Sequence, residues 1–264
     1  MGYSHAAKLG SVDVLKLTIV IAALFLPAAA LAQTAAGPYV SGEIGAGLLD
    51  GSLRSVQGTT KIGVDDGPSG AVAVGWRFGD GLRAELQEGD QSNSVTSIFT
   101  RRLDGNLHPL GGPGGALTSY SMMANVLYDV PKRYFVGPLQ PYVGIGAGYG
   151  WLDLSGAGGA GAGVFHLPQN NTYTGPDRVN FGAGAAFAYQ LIVGASLPIK
   201  SLPGLKLTAE YRFLGTARAD VPVSRVATGG DTVNGVLPSA YTHNGFILAD
   251  NVLAVGLRYN FGSR

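Results

Sequence analysis

The chain has 264 residues, with 18 Lys and Arg against 17 Asp and Glu, so no global basic field points to nucleic acid. It contains no cysteine, which excludes disulfides and thiol chemistry. Only 13% of residues are charged while 46% are hydrophobic and 42 are glycine, a composition short of polar chemistry and rich in positions for close backbone approach.

Lys8 and Lys16 precede the apolar run "LTIVIAALFLPAAALAQ", Leu17 to Gln33. Pro27 interrupts it, and it closes on Ala30-Leu31-Ala32, an A-x-A cleavage pattern. The run is shorter than the ~20 apolar residues of a spanning helix. Residues 1–32 therefore read as a secretory signal peptide cut after Ala32, and residues 33–264 as the exported domain. No second long apolar run follows.

From there the pattern is one of period-two strands. "PYVSGEIGAGLL" (Pro38 to Leu49) sets Val40, Ile44, Ala46 and Leu48 against Tyr39, Ser41, Glu43, Gly45 and Gly47. "AVAVGWRF" (Ala71 to Phe78) sets Val72, Val74, Trp76 and Phe78 against Arg77 and small residues. Gly79-Asp80-Gly81 is a hairpin signal, and "LRAELQ" then places Leu82, Ala84 and Leu86 opposite Arg83, Glu85 and Gln87. "YSMMANVLYDV" (Tyr120 to Val130), "PYVGIGAGYGW" (Pro141 to Trp151) and "FAYQLIVGASL" (Phe187 to Leu197) alternate in the same way. "LKLTAEYRFLG" (Leu205 to Gly215) places Leu207, Ala209, Tyr211 and Phe213 opposite Lys206, Thr208, Glu210 and Arg212. "NVLAVGLRYNF" (Asn251 to Phe261) closes the series with Arg258 on its small-residue face. The connections at Gly79–Gly81, Pro131–Leu139 and Pro198–Gly204 are short. Those at Leu49–Pro68, Glu88–Leu117, Leu154–Arg178 and Gly215–Gly245 are long, rich in Gly, Ser, Asn and Asp, and read as surface loops.

A soluble sandwich or lipocalin-like barrel also alternates, but its polar face looks at water. Here the polar face is mostly Gly, Ala and Ser with scattered Arg, Glu and Gln, which suits the inside of a narrow barrel. The aromatic residues Trp76, Phe78, Tyr128, Tyr259 and Phe261 fall beside short turns. Tyr120, Tyr149 and Trp151 fall near long connections, so the set forms two girdles of a membrane barrel. A barrel leaves no unpaired strand edge in lipid. The expected fold is all-β: an eight-stranded antiparallel transmembrane up-and-down β-barrel.

"PYVGIGAGYGW", "SMMANVLYDV", "FAYQLIVGAS", "LTAEYRFLGT" and the closing "GLRYNF" together resemble the OmpA-like outer membrane β-barrel family, in particular its surface-antigen and opacity-type single-domain, porin-like members. The resemblance covers essentially the whole exported chain. It implies the outer membrane of a Gram-negative bacterium, a lipid and lipopolysaccharide environment, delivery by the barrel assembly machinery, and a monomer. Two departures stand out: Gly262, Ser263 and Arg264 follow the terminal aromatic Phe261, and no peptidoglycan-binding domain follows the barrel.

The inward charges are Arg77, Arg83, Lys206, Arg212 and Arg258 against Glu43, Glu85, Asp129 and Glu210, an expected lumen ion-pair network. Glu43, Glu210, Arg212 and Arg258 come from the first and last two strands and are expected to form one cluster where the barrel closes. "GAGGAG" (Gly156 to Gly161) has the form G-x-G-x-x-G but lacks a following helix, so it reads as a flexible loop and not a dinucleotide site. Asn170-Asn171-Thr172 has the form of a glycosylation acceptor and carries no weight in a bacterial protein. His108, His166 and His243 show no Ser-His-acid or metal-ligand spacing, so no catalytic residue, metal or cofactor is expected. Arg101-Arg102, Arg178, Arg218 and Arg225 fall in or near the long connections, where they serve solubility or meet lipid phosphates. The expected role is structural or surface-interactive and non-enzymatic. A narrow channel is the second reading, and a rim-site lipid hydrolase the third.

Overall fold

The computed structural model describes residues 36–49, 52–101, 105–134, 137–166, 172–228 and 239–261. The cleavage position Ala32, Arg102, Asn170, Asn171 and the segment 262–264 lie outside them. The strands in chain order are β1 (Gly37–Leu49), β2 (Ser52–Arg54), β3 (Thr60–Val64), β4 (Gly67–Arg77), β5 (Leu82–Arg101) and β6 (Leu107–Pro109). They continue with β7 (Gly111–Gly114), β8 (Ala116–Asp129), β9 (Gln140–Asp153), β10 (Gly158–His166) and β11 (Thr172–Phe181). The last are β12 (Ala183–Pro198), β13 (Leu205–Thr216), β14 (Ala219–Ala227), β15 (Ser239–Phe246) and β16 (Ala249–Asn260).

Eight of these close a barrel in the order β1, β4, β5, β8, β9, β12, β13, β16 and back to β1, each pair antiparallel. Closure runs through β1 and β16, from Tyr39 opposite Asn260 to Leu49 opposite Asp250. The turn between β4 and β5 is as short as its Gly-Asp-Gly implies: Gly81 takes φ 96°, a left-handed value that suits glycine, and Asp80 accepts a hydrogen bond from Leu82 N at 3.0 Å. The apolar face looks outward. Ile44 is 73% exposed and Val255 56%, whereas Arg83 and Arg258 are each 2% exposed. In a membrane, those outward side chains meet lipid, and the closed antiparallel ladder leaves no open sheet edge there.

In their described residues the long connections are largely strand. They fold into a second β layer stacked on one end of the barrel. β15, β14, β11, β10 and β7 form a five-stranded sheet, while β3 and β6 add to the extended end of β5, and β2 pairs with β3. Ser55 bridges to Phe246, and Leu110 N donates to Ile98 O at 2.8 Å, so the two walls of this cap meet on both sides. A bulge where β5 pairs with β3 turns the strand over: Arg83 to Val95 point inward at odd positions, Ile98 and Thr100 at even ones. "GAGGAG", expected as a flexible loop, is a turn at Gly156 followed by strand β10 in register with β11. The reading failed there because glycine and alanine carry almost no alternation signal.

Candidate functional site

The lumen is built from the inward, small-residue face of each barrel strand, and it is filled in layers. At the short-turn end, Arg83 Nε lies 3.1 Å from Asp129 Oδ1, and Arg258 Nη1 lies 3.8 Å from the same oxygen. The Arg83 guanidinium stacks over the rings of Tyr39 and Tyr142 at 5.4 and 4.9 Å. Those two tyrosines fit because glycine stands where they cross neighbouring strands. A Cβ at Gly75 would run into the Tyr39 ring and one at Gly194 into the Tyr142 ring. Glu85 accepts from Tyr39 Oη at 2.5 Å and from Asn125 at 2.9 Å, and sits 3.9 Å from Arg83. Lys206 donates to Gln140 at 2.9 Å, and Arg77 stands opposite Arg83 across the β4–β5 pair.

The next layer is an ion triad. Arg212 Nη2 is bonded to both Glu43 and Glu210, the latter at 2.5 Å. Tyr142 donates to Glu210 at 3.0 Å, and Gln87 donates to Glu43 at 3.1 Å. Gln190 ties this layer together by donating to Gln87 at 3.0 Å and to Asn125 at 2.5 Å. Buried charges paired and hydrogen-bonded in this way can be held in an interior, although Arg212 Nε is buried without a partner. Arg258, expected in the same cluster as Glu43, Glu210 and Arg212, is one layer lower. It stands opposite Lys206 and Ser41 in register, whereas Glu43 stands opposite Gly256. Two residues along a tilted strand are enough to exchange one set of partners for another.

Above the triad a cavity of about 20 Å³ is lined by Gln91, Ser119, Ser121, Gln190, Arg212 and Val252, room for about one water. Beyond it the interior is mainly apolar, with Asn93, Asp177 and Asp250 also buried there. Leu117, Leu152, Leu154, Val179, Phe246 and Leu248 are all at most 2% exposed and belong to one continuous core that joins barrel to cap. Tyr39, Tyr142, Gln87, Asn125 and Gln190 were not singled out from the sequence as lumen residues with a role. Their one signal was position on the glycine-bearing face of each strand.

Trp76, Phe78, Tyr128 and Tyr259 are exposed at the short-turn end, with Phe261 edge-on to Tyr259 at 4.9 Å. Tyr149 and Trp151 are exposed toward the cap, Tyr120 is half-buried, and Phe187 and Tyr189 add to the outward aromatic face. Among the loop-assigned arginines, Arg225 is turned into the cap. It lies 3.5 Å from the buried Asp177 and donates to Thr100 at 3.0 Å, so it is not free for surface phosphates. Arg218 pairs with Asp220 at 2.8 Å, and Arg178 and Arg101 are exposed. His108 lies on β6, His243 packs against Tyr241 at 5.8 Å, and His166 ends β10. Among the described residues no cluster of three His, Cys, Asp or Glu side chains is placed to hold a metal ion.

The chain is 32% identical over 257 residues to an outer membrane protein of Gluconacetobacter diazotrophicus, a match that spans 90% of this chain and 61% of that protein. It also aligns with solved outer-membrane barrels. Neisserial surface protein A matches at 16% identity and TM-score 0.45, covering 86% of this chain and 99% of that one. OprG of Pseudomonas aeruginosa matches at 14% and 0.47, covering 86% and 97%. A major outer membrane protein of Thermus thermophilus matches at 15% and 0.47, covering 85% and 99%. A closed eight-stranded barrel with an apolar exterior is what a bacterial outer membrane accepts. The family model for the outer membrane protein beta-barrel domain matches residues 18–261, and the chain belongs to that family as a protein of the Gram-negative outer membrane.

Proposed function

We propose that this is a non-enzymatic, monomeric, OmpA-like barrel whose lumen is a structural core and whose work is done at its surfaces. That work is envelope integrity, adhesion or contact with lipopolysaccharide. The observation that carries the reading is the filling of the lumen. Passing from the short turns toward the cap, a solute meets the Arg83–Asp129–Arg258 layer, the Glu43–Arg212–Glu210 triad and then a mainly apolar plug. Ions do not cross a desolvated apolar plug without paying for dehydration. The cap that carries the plug is then the part presented to the outside, with termini and short turns in the periplasm. The barrel assembly machinery is the partner in biogenesis, and outer-membrane lipid the standing neighbour.

Refolded protein in planar bilayers should show no steady conductance, or only a weak one. A large, stable conductance would overturn this reading and favour a narrow channel. The hydrolase alternative has its own check: refolded protein incubated with phospholipid vesicles should release no fatty acid.

A further inference from the structure

We propose that the short-turn mouth of the lumen is a binding site for a small oxyanion of the phosphate class. The barrel register sets two pairs of like charges directly opposite each other there, Arg77 with Arg83 on β4 and β5, and Lys206 with Arg258 on β13 and β16. Directly opposed like charges destabilise a sheet unless something neutralises them. Among the described residues the carboxylates in reach are Asp129 and Glu85, and both are already engaged. Asp129 Oδ1 is shared by Arg83 and Arg258, and Glu85 accepts from Tyr39 and Asn125. Four cations against two carboxylates leave this end of the lumen positive; the adjacent triad has one carboxylate in excess, so the lumen as a whole carries one positive charge in surplus.

The same end of the lumen holds unused donors. Arg77 Nε, Arg83 Nη2 and Arg258 Nε are buried and donate no hydrogen bond. Arg83 and Arg258 are each 2% exposed, stack over the same two rings, Tyr39 and Tyr142, and share the Asp129 carboxylate, so the two guanidinium groups occupy one layer. A charged donor left buried and unpaired is costly, and several such donors around one point favour an acceptor with several oxygens. Guanidinium forks suit a tetrahedral oxyanion, and the positive surplus at this end suits its charge. Access comes from the short-turn side, where Arg77 and Lys206 are only half-buried. On the inner side the tyrosines, Leu127 and Ile192 close the way, so the site is blind. The ligand is a free anion and not a lipid headgroup, because the cations lie inside the barrel wall. The site is independent of what the surfaces of the protein bind.

The test is a titration of the refolded barrel with inorganic phosphate at constant ionic strength, sodium chloride making up the balance, followed by calorimetry and by the thermal unfolding midpoint. Saturable heat and a rise in the midpoint are expected from phosphate and not from chloride. Lys206→Gln, and separately Arg77→Gln, should each weaken the apparent affinity about tenfold, the loss of one charge-assisted hydrogen bond. Arg178→Gln, exposed on the cap, should leave it unchanged. The proposal is overturned if wild-type protein shows no saturable phosphate binding in the millimolar range, if chloride reproduces the shift, or if Arg178→Gln weakens binding as much as Lys206→Gln does. Wild-type titration decides the matter even if a variant fails to fold.

Discussion

Replacing Arg212 with methionine should damage the barrel more than any other single change to its charge network. Arg212 holds Glu43 and Glu210 together, and the three side chains are 8%, 13% and 9% exposed. Methionine fills much of the arginine stem volume but leaves two carboxylates facing each other with no cation in that layer. Breaking a buried pair by removing one partner costs about 3–5 kcal/mol, because the stranded charge is desolvated and uncompensated. The same reasoning fixes a rescue. Adding Glu43→Gln and Glu210→Gln to Arg212→Met removes the stranded charges and keeps hydrogen-bonding groups for Tyr142 and Gln87, so most of the lost stability should return. The assay is urea unfolding of refolded protein in detergent, read by Trp76 and Trp151 fluorescence and by heat-modifiable migration. A single variant within about 1 kcal/mol of wild type would refute the idea of a dry triad. A triple variant no more stable than Arg212→Met would show that the damage is steric and not electrostatic.

Val255→Arg puts a charge on the outward face, where Val255 is 56% exposed, and should cost about 2–4 kcal/mol in lipid vesicles near the midplane. Val255→Phe should fold normally, and equal yields of the two would show that this face does not meet lipid. Gly194→Leu drives a side chain into the Tyr142 ring and should destabilise by about 1–3 kcal/mol, with recovery when Tyr142→Ala is added. Additive losses in that double variant would count against the contact. Phe246→Ala empties a fully buried position at the cap seam, at a cost of about 3–5 kcal/mol to cap packing. Limited proteolysis should then cut the cap hairpins while the barrel keeps its heat-modifiable migration, and an unchanged cleavage pattern would mean the core does not hold the cap.

Alternation with period two was enough to place the eight barrel strands, to turn Leu207, Ile145 and Val255 outward and to put Arg83, Glu85, Gln87 and Arg212 on the inner face. Faces are a local property: each residue's side follows from its neighbours along one strand. Which inward charges meet is not local. Arg258 joins Asp129 and not Glu210 because inter-strand register and barrel stagger decide the layer, and neither is written in any single strand. The cap was hidden for a different reason. Its strands β7 and β10 are glycine- and alanine-rich, its other strands carry at most two large buried apolar residues each, such as Ile62, Val179 and Phe246, and a bulge in β5 reverses the inward parity between Val95 and Ile98. No segment of it buries its apolar face alone. Only when the hairpins from all four long connections meet do those scattered residues exclude water together and close the lumen.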